Sequence, residues 1–373
     1  MSVSAAAPLT TTVFFFCRLG DMVMLTRMLN LLHKRYGQPC QVIGSGSWSA
    51  TAYAGNPDVS AVWAFHRHLP FLLDPAWRPV RRALLASAPG PIYVCERHYR
   101  QLPRIQRMLR LSGVDPRRCV FLSDRPVRGP GEETDHLVDR LVALGARTPA
   151  NLQAADYPPP ADASLDGPRL YILESERAER DAWLRSQGLI GRELILVQPG
   201  NHRTMAARRG RWRRLNTDDK FWPLERWAEL LQRIHHARPQ ATLLLRGSTE
   251  ERSMLQEIQQ ATRLTSVASV VTTLRQLYAF CEVAGSMVSV DSGPAHAAAA
   301  LSVPLVVIYG AESPRKWLPR SPSGSPVVGV GGPPVSSRAD QVPVDAVFSA
   351  WYRVATESWP PFYPPNPLPI ASK

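Results

Sequence analysis

The stretch VSVDSGPAHAAAALSVPLVVIYGAESP, Val288 to Pro314, reads as strand, turn, helix, strand. "SMVSVD" (286–291) is an apolar run that ends on an acidic residue. Ser292, Gly293 and Pro294 then open a helix of small residues, and "PLVVIYG" (304–310) is a second apolar run. Two short apolar runs joined by a helix predict a parallel strand–helix–strand unit. Pro294 suits the first turn of a helix, and Ala295 with Ala297–Ala300 lets that helix pack closely on a sheet. An ordinary capped helix explains Ser292 and Pro294 but leaves His296 unexplained. The junction lies at the carboxyl end of a strand, where open parallel sheets bind their ligands.

The same alternation runs outward in both directions. Strands are predicted at 12–17, 40–45, 61–65, 91–95 and 119–123, with helices at 22–36, 76–87, 99–112 and 132–145 between and after them. "YPPPADASLDGP" (157–168) is a proline-rich link. "RLYIL" (169–173) is expected to close the first sheet, and 175–188 to form a connecting helix. Strands follow at 193–199, 241–247, 267–271, 286–291 and 304–310, separated by helices at 223–237, 249–261, 273–283 and 294–301. A Gly/Pro/Ser-rich stretch (321–337) and a helix (344–358) complete the pattern. The fold class is α/β, with two Rossmann-like parallel-sheet domains over 1–188 and 189–340 and a tail over 341–373. Two such halves imply a cleft between them.

The 373 residues suffice for two cores of ordinary size, and 45% apolar with 20% charged residues describes a globular protein. The net charge of +13 and pI of about 10.0 favour acidic partners: nucleic acid, an anionic membrane or phosphorylated substrates. Nearly all of that charge is arginine, since the only lysines are Lys34, Lys220, Lys316 and Lys373. The five cysteines form no CxxC pair, so they read as buried thiols of a reducing compartment. The start has no basic residue before Arg18 and only a short apolar run, so no signal peptide is expected. No apolar run approaches the ~18 residues of a membrane span. A cytoplasmic protein is expected, resting on the inner face of a membrane. No HExxH or DxD occurs, and no metal ligand set is expected.

Three stretches carry chemistry. In "CRLGDMVMLTRMLNLLHKRYG" (17–37), Gly20 makes a tight turn and Asp21 stands at the mouth of an apolar helix. Asp21 can cap that helix or face a ligand as a general base. An ordinary aspartate is ionised and a weak base, so the second role asks for a dry pocket. In "VQPGNHRTMAARRGRWRRLNTDDKFWPLERWAELL" (197–231), Pro199-Gly200 breaks a strand. Six arginines then lie between Arg203 and Arg214, and Lys220 precedes a helix opened by Pro223. A lysine in such a loop can meet a diphosphate as a point charge. It can equally be an ordinary surface lysine, and the arginines an ordinary solvated loop. The third stretch is the opening one. The helix amides after Asp291 are unpaired donors at a positive helix end, and Gly293 allows close approach. That is a phosphate seat. Asp291 would repel phosphate and suits sugar hydroxyls. Arg246-Gly247-Ser248, ending a strand, can line a nucleotide pocket. "GSG" (44–46) is no GxGxxG in the first turn, which weakens a nicotinamide reading.

Together these stretches resemble the heptosyltransferase family, glycosyltransferase family 9. "RLGDMVMLTRML" is similar to its amino-terminal motif, whose Asp is the catalytic base. "DDKFWPLERW" is similar to its Lys-Trp-Pro segment, whose Lys meets the donor diphosphate. "DSGPAHAAAALSVPLVVIYGAESPRKWLP" is similar to its sugar-nucleotide signature. The resemblance implies a GT-B fold whose tail helix crosses back to the first domain. It also implies metal-independent, inverting transfer from ADP-heptose to a lipopolysaccharide-core acceptor, without a cofactor. Asp21 is then the catalytic residue. The donor-binding set is Lys220, Asp291, Ser292, Gly293, Pro294, His296, Gly200, Arg246 and Gly247, and the acceptor or phosphate set is Arg18, Arg203 and Arg208. Partners implied are ADP-heptose or a related nucleotide sugar, a glycolipid acceptor and an anionic membrane face, and no nucleic acid. The arginine-rich insert at 202–214 and Ala311-Glu312-Ser313, where Gly-Pro-Thr is usual, depart from the family pattern. They motivate an alternative, the same scaffold with another donor or with a protein or O-chain acceptor. A nucleic-acid-binding module, suggested by the charge, lacks any recognisable motif or aromatic–basic interleaving.

Overall fold

The structure is a computed structural model describing residues 6–46, 48–66, 69–96, 98, 100–122, 127–128, 133–134, 136–160, 167–206 and 218–357. It divides into two units, Met1–Tyr171 with Arg315–Trp317, and Ile172–Pro314 with Leu318–Lys373.

The first unit runs β1 (Thr12–Phe14), α1 (Leu19–Tyr36), β2 (Cys40–Ser45), α2 (Trp48–Tyr53), β3 (Val59–Phe65), α3 (Trp77–Ala86), β4 (Ile92–Val94), α4 (Leu102–Leu111) and β5 (Cys119–Phe121). A two-residue pair, β6 (Val127–Arg128) and β7 (Glu133–Thr134), and α5 (Leu137–Ala146) follow. Its five-stranded sheet has the order β3-β2-β1-β4-β5, all parallel. Phe14, Ile92 and Val94 of the strands pack with Val80 and Leu84 of α3 and with Ile105, Met108 and Leu109 of α4. Helix α1 packs with α5, where a Cβ at Gly145 would stand 3.1 Å from Leu31.

Residues 169–173, expected as a strand, form none. Leu170 and Ile172 are buried, but the Arg169 amide donates to the Thr26 hydroxyl on α1 (3.0 Å). The segment therefore crosses a helix rather than extending the sheet, and alternation of apolar residues cannot distinguish the two.

The second unit runs α6 (Glu174–Ser186), β8 (Leu194–Gln198), α7 (His202–Ala206), α8 (Leu224–Ala237), β9 (Thr242–Gly247), α9 (Arg252–Thr262), β10 (Val267–Val271), α10 (Leu274–Glu282), β11 (Ser286–Val290), α11 (Gly293–Ala300), β12 (Leu305–Tyr309), α12 (Pro314–Trp317), β13 (Val327–Gly331) and α13 (Val344–Glu357). The strand order is β10-β9-β8-β11-β12-β13, again all parallel. This is the doubly wound order 3-2-1-4-5-6, whose chain reversal falls between β8 and β11.

Helix α6, assigned above to the first half, belongs to the second unit. Arg177 and Arg180 donate to Glu282 (2.7 and 2.6 Å), Arg275 donates to Glu176 (2.6 Å), and Trp183 stacks edge-on against Phe280. Helix α13, expected to cross back, packs with α8, β12 and β13 of the second unit. Its apolar stripe Val347, Ala350, Trp351 and Val354 is buried in that core, and the Trp351 indole donates to Ser286 (3.0 Å). Residues 358–373 lie outside the described ones. Strand β13 was hidden in the Gly/Pro/Ser-rich stretch because its glycines serve packing. A side chain at Gly331 would stand 2.5 Å from Val342, at a φ of +82°.

No described helix is long and apolar enough to cross a membrane.

Candidate functional site

The chain reversal of the second sheet brings Gln198 of β8 beside Ser289 of β11, so the loops after both strands emerge together. The loop after β11 is Asp291 and Ser292. The Asp291 amide still bonds to Ile308 of β12 (2.9 Å), continuing the ladder before the chain turns. Ser292 is the N-cap of α11, in extended backbone, and its hydroxyl lies 3.1 Å from that of Ser289. Ser292, Gly293 and Pro294 are partly exposed, while Asp291 and His296 are buried. The amino-terminal end of α11 therefore opens outward with its positive helix end.

Lys220 reaches this point from 71 residues away: its Nζ lies 2.5 Å from Asp291 Oδ2. The loop that carries it is anchored on all sides. Trp222 is fully buried, donates to the Val342 carbonyl (2.9 Å) and meets Trp227 edge to face. Asp218, also fully buried, accepts from the Lys220 amide (3.0 Å), Asn201 (2.9 Å) and Arg203 (2.8 Å). Asp219 accepts from Arg203 (2.7 Å) and from the Ala311 amide (3.1 Å). Its carbonyl leaves no room for a side chain at Gly310, whose Cβ would stand 2.0 Å away. An ammonium has three donors, and one of Lys220's is directed at Asp291.

Three donor-set assignments change in meaning. Arg246 does not line a pocket through its guanidinium. That group is buried and donates to Thr272 (2.7 Å) and Gln198 (2.6 Å). Gly200 and Gly247 both make room for Glu251, to which a Cβ would approach within 1.9 Å at Gly200 and 3.1 Å at Gly247. Glu251 in turn accepts from Thr204 and from the Ser248 amide (2.9 Å). Arg203, assigned to acceptor or phosphate, pairs with Asp218 and Asp219. Arg208 lies outside the described residues. Sequence reasoning missed Asp218, Asp219, Thr204 and Glu251. The doubled aspartate before Lys220 was the available signal for the first two.

His296 sits in the first turn of α11. Burial, and then the nearby Lys220 ammonium, push its imidazole down to about 4 from the ordinary 6.5. Because the folded value lies below the unfolded one, the unfolded chain binds the extra proton between them. Stability is therefore complete above pH 6.5 and falls as pH drops toward 4, by roughly 3 kcal/mol. Denaturant melts at about pH 7 and about pH 4.5 should show a smaller acid loss for His296→Gln than for the wild type. Equal losses would remove His296 from this account.

In the first unit, the loop after β1 leads to Arg18, the exposed N-cap of α1. Asp21 is at the third helical position, partly exposed, and its Oδ2 accepts from the Arg18 amide (3.1 Å). The N-cap position weighed for Asp21 is thus taken by Arg18, because the helix begins two residues earlier, at Leu19. Asp21 answers it from inside the first turn, as the acidic half of a capping box, at the chain reversal between β1 and β4. A carboxylate has lone pairs beyond the one that caps. Among the described residues, no cluster of three or more His, Cys, Asp or Glu could hold a metal ion.

Residues 120–333 match the sequence profile of glycosyltransferase family 9 (heptosyltransferase). That range contains Lys220 and the Asp291–His296 loop, and leaves Asp21 outside it. Similar solved structures include a glycosyl transferase family 9 protein from Veillonella parvula, with a TM-score of 0.70 and 16% identity over 94% of this chain and 98% of that one. The E. coli ADP-heptose LPS heptosyltransferase II matches with a TM-score of 0.66 and 20% identity over 94% and 99%. E. coli heptosyltransferase WaaC with ADP matches with 0.63 and 16% over 93% and 100%. These likenesses carry the fold, two parallel-sheet α/β domains of GT-B type. No curated protein sequence matches the chain.

Proposed function

The chain belongs to glycosyltransferase family 9, the heptosyltransferases, and from that premise we propose that it moves a heptose from ADP-heptose to a lipopolysaccharide-core sugar with inversion. The observation that carries the donor side is the Lys220 ammonium held at Asp291, next in the chain to the partly exposed amino-terminal end of α11. A buried-edge cation and unpaired helix amides are what a diphosphate requires. The structural relative WaaC is described with ADP, and another WaaC structure with an ADP-2-deoxy-2-fluoro heptose.

In this reading, the acceptor hydroxyl attacks the anomeric carbon while the bond from that carbon to the diphosphate oxygen breaks. The hydroxyl proton passes to Asp21. The charge developing on the leaving ADP is met by Lys220 and the amides at 292–293, preorganised by the anchored 218–222 loop. Asp291 fixes Lys220 and offers its remaining acceptor capacity to sugar hydroxyls. Arg203 acts through the loop, by balancing Asp218 and Asp219.

The test is mass spectrometry of the product formed from ADP-heptose and a truncated core glycolipid. One added heptose with release of ADP is expected. Transfer from a different nucleotide sugar, with none from ADP-heptose, would overturn the donor assignment.

A further inference from the structure

Between His66 and Ser112 the sequence holds nine arginines and two acidic residues, Asp74 and Glu96. Both acidic residues are buried, so they lend little charge to the surface. The same segment supplies five of the nine exposed large hydrophobics among the described residues: Leu69, Leu72, Leu73, Leu85 and Leu111. A random scatter of apolar side chains needs no explanation, but this concentration does.

The arrangement is ordered. On α3, Val80 and Leu84 are buried, and Arg78, Arg81, Arg82 and Leu85 are exposed. Those four positions follow the i, i+3, i+4, i+7 spacing of one helix face. On α4, Ile105, Met108 and Leu109 are buried, and Arg107 and Arg110 are exposed. Both helices pack in the same core cluster.

The leucine turn before α3 is held firmly. Phe71 points into the core and meets Trp77 edge-on at 4.9 Å. Asp74 accepts from the amides of His66 (2.7 Å) and Ala76 (3.0 Å). Arg104 of α4 donates to the Leu69 carbonyl (3.1 Å) and lies over the rings of Phe16 and Phe65. Leu73 is nonetheless 75% exposed and Leu72 50%, and polar residues would serve the turn equally well.

We propose that this leucine turn, with the arginine faces of α3 and α4, docks the first unit on an anionic lipid bilayer. It gives a specific surface to the membrane contact expected from the net charge, and it does not depend on the donor assignment. The leucines enter the headgroup boundary while the guanidinium groups meet lipid phosphates, with no acidic side chain at the exposed faces to oppose them. Nucleic acid would be met by stacking aromatics rather than aliphatic side chains.

The experiment uses the full chain and vesicles of phosphatidylcholine with or without phosphatidylglycerol, read by co-sedimentation. The wild type should bind the phosphatidylglycerol vesicles and not phosphatidylcholine alone. Leu72→Ser with Leu73→Ser should weaken that partition about tenfold or more. Arg78→Glu, Arg81→Glu and Arg82→Glu together should weaken it about a hundredfold. A charge-matched control, Arg185→Glu, Arg192→Glu and Arg353→Glu, all exposed in the second unit, should bind nearly as the wild type. Thermal melts and ADP binding establish that each variant is folded. Three results would overturn the proposal: no binding to anionic vesicles, an equal loss in the control, or tight binding to nucleic acid with none to vesicles. Vesicle binding without ADP binding would count against the donor reading and leave this one standing.

Discussion

Asp21→Asn is expected to fold and bind ADP like the wild type and yet lose turnover by a factor of about 10²–10⁴, the range for removing a general base. The asparagine carbonyl can still accept the Arg18 amide hydrogen bond that Asp21 accepts at 3.1 Å. It cannot take a proton from an acceptor hydroxyl. Asp21→Ala removes both functions. It should lose turnover to the same extent and also lower stability by about 1 kcal/mol, the usual net worth of one hydrogen bond. The pair separates the observed hydrogen bond to the Arg18 amide from the proposed role as base. The proposed diphosphate seat is built from residues of the other unit, so ADP affinity should be unchanged in both variants by calorimetry. Turnover near the wild-type level in Asp21→Asn would dismiss Asp21 as the base and leave it a helix cap.

Lys220→Ala should weaken ADP binding by about 10²–10³-fold, through two effects of the same sign. The charged hydrogen bond to the diphosphate is lost, at about 1.5–3 kcal/mol. In addition, Asp291 is left as an uncompensated, buried carboxylate facing an anion. The second effect has its own signature. Lys220→Ala combined with Asp291→Asn should recover part of the lost affinity, and a double-mutant cycle measures how much. The substitution also removes one of the two causes that depress His296, so the acid loss of stability should shrink as well. ADP affinity unchanged in Lys220→Ala would refute the proposed seat.

The packing partners of these residues also explain why a distant change can reach the site. Arg203 acts on the Lys220 loop through two aspartates. Its pairing with Asp218 and Asp219 keeps the Lys220 loop seated against Ala311. Glu251 fixes Thr204 on α7, one residue beyond Arg203. The seat is thus framed by buried polar groups rather than by the loop's own conformational preferences.

Much of this was legible in the residues alone. The alternation of apolar runs and helical spacing determined two parallel-sheet halves. Breaks at Pro199-Gly200 and Ser292-Gly293-Pro294 marked the ends of β8 and β11. Lys220 and Asp291, singled out in two separate stretches, are joined by a hydrogen bond in the fold.

Only the tertiary structure decided the rest, because local periodicity carries no information about which strand ends become neighbours. The crossover that sets β11 beside β8 joins Lys220 to Asp291. Acceptors on Gln198 and Thr272, 48 and 26 residues away, hold the buried Arg246 guanidinium. Carboxylates on α10 and α6, matched by arginines across the same packed pair, draw α6 into the second unit. Residues 169–173 alternate like a strand, yet α1 offers their backbone the Thr26 hydroxyl and no sheet edge receives them. Each outcome depends on a partner far away in the chain, and the energy of a buried charge or amide is set by that partner.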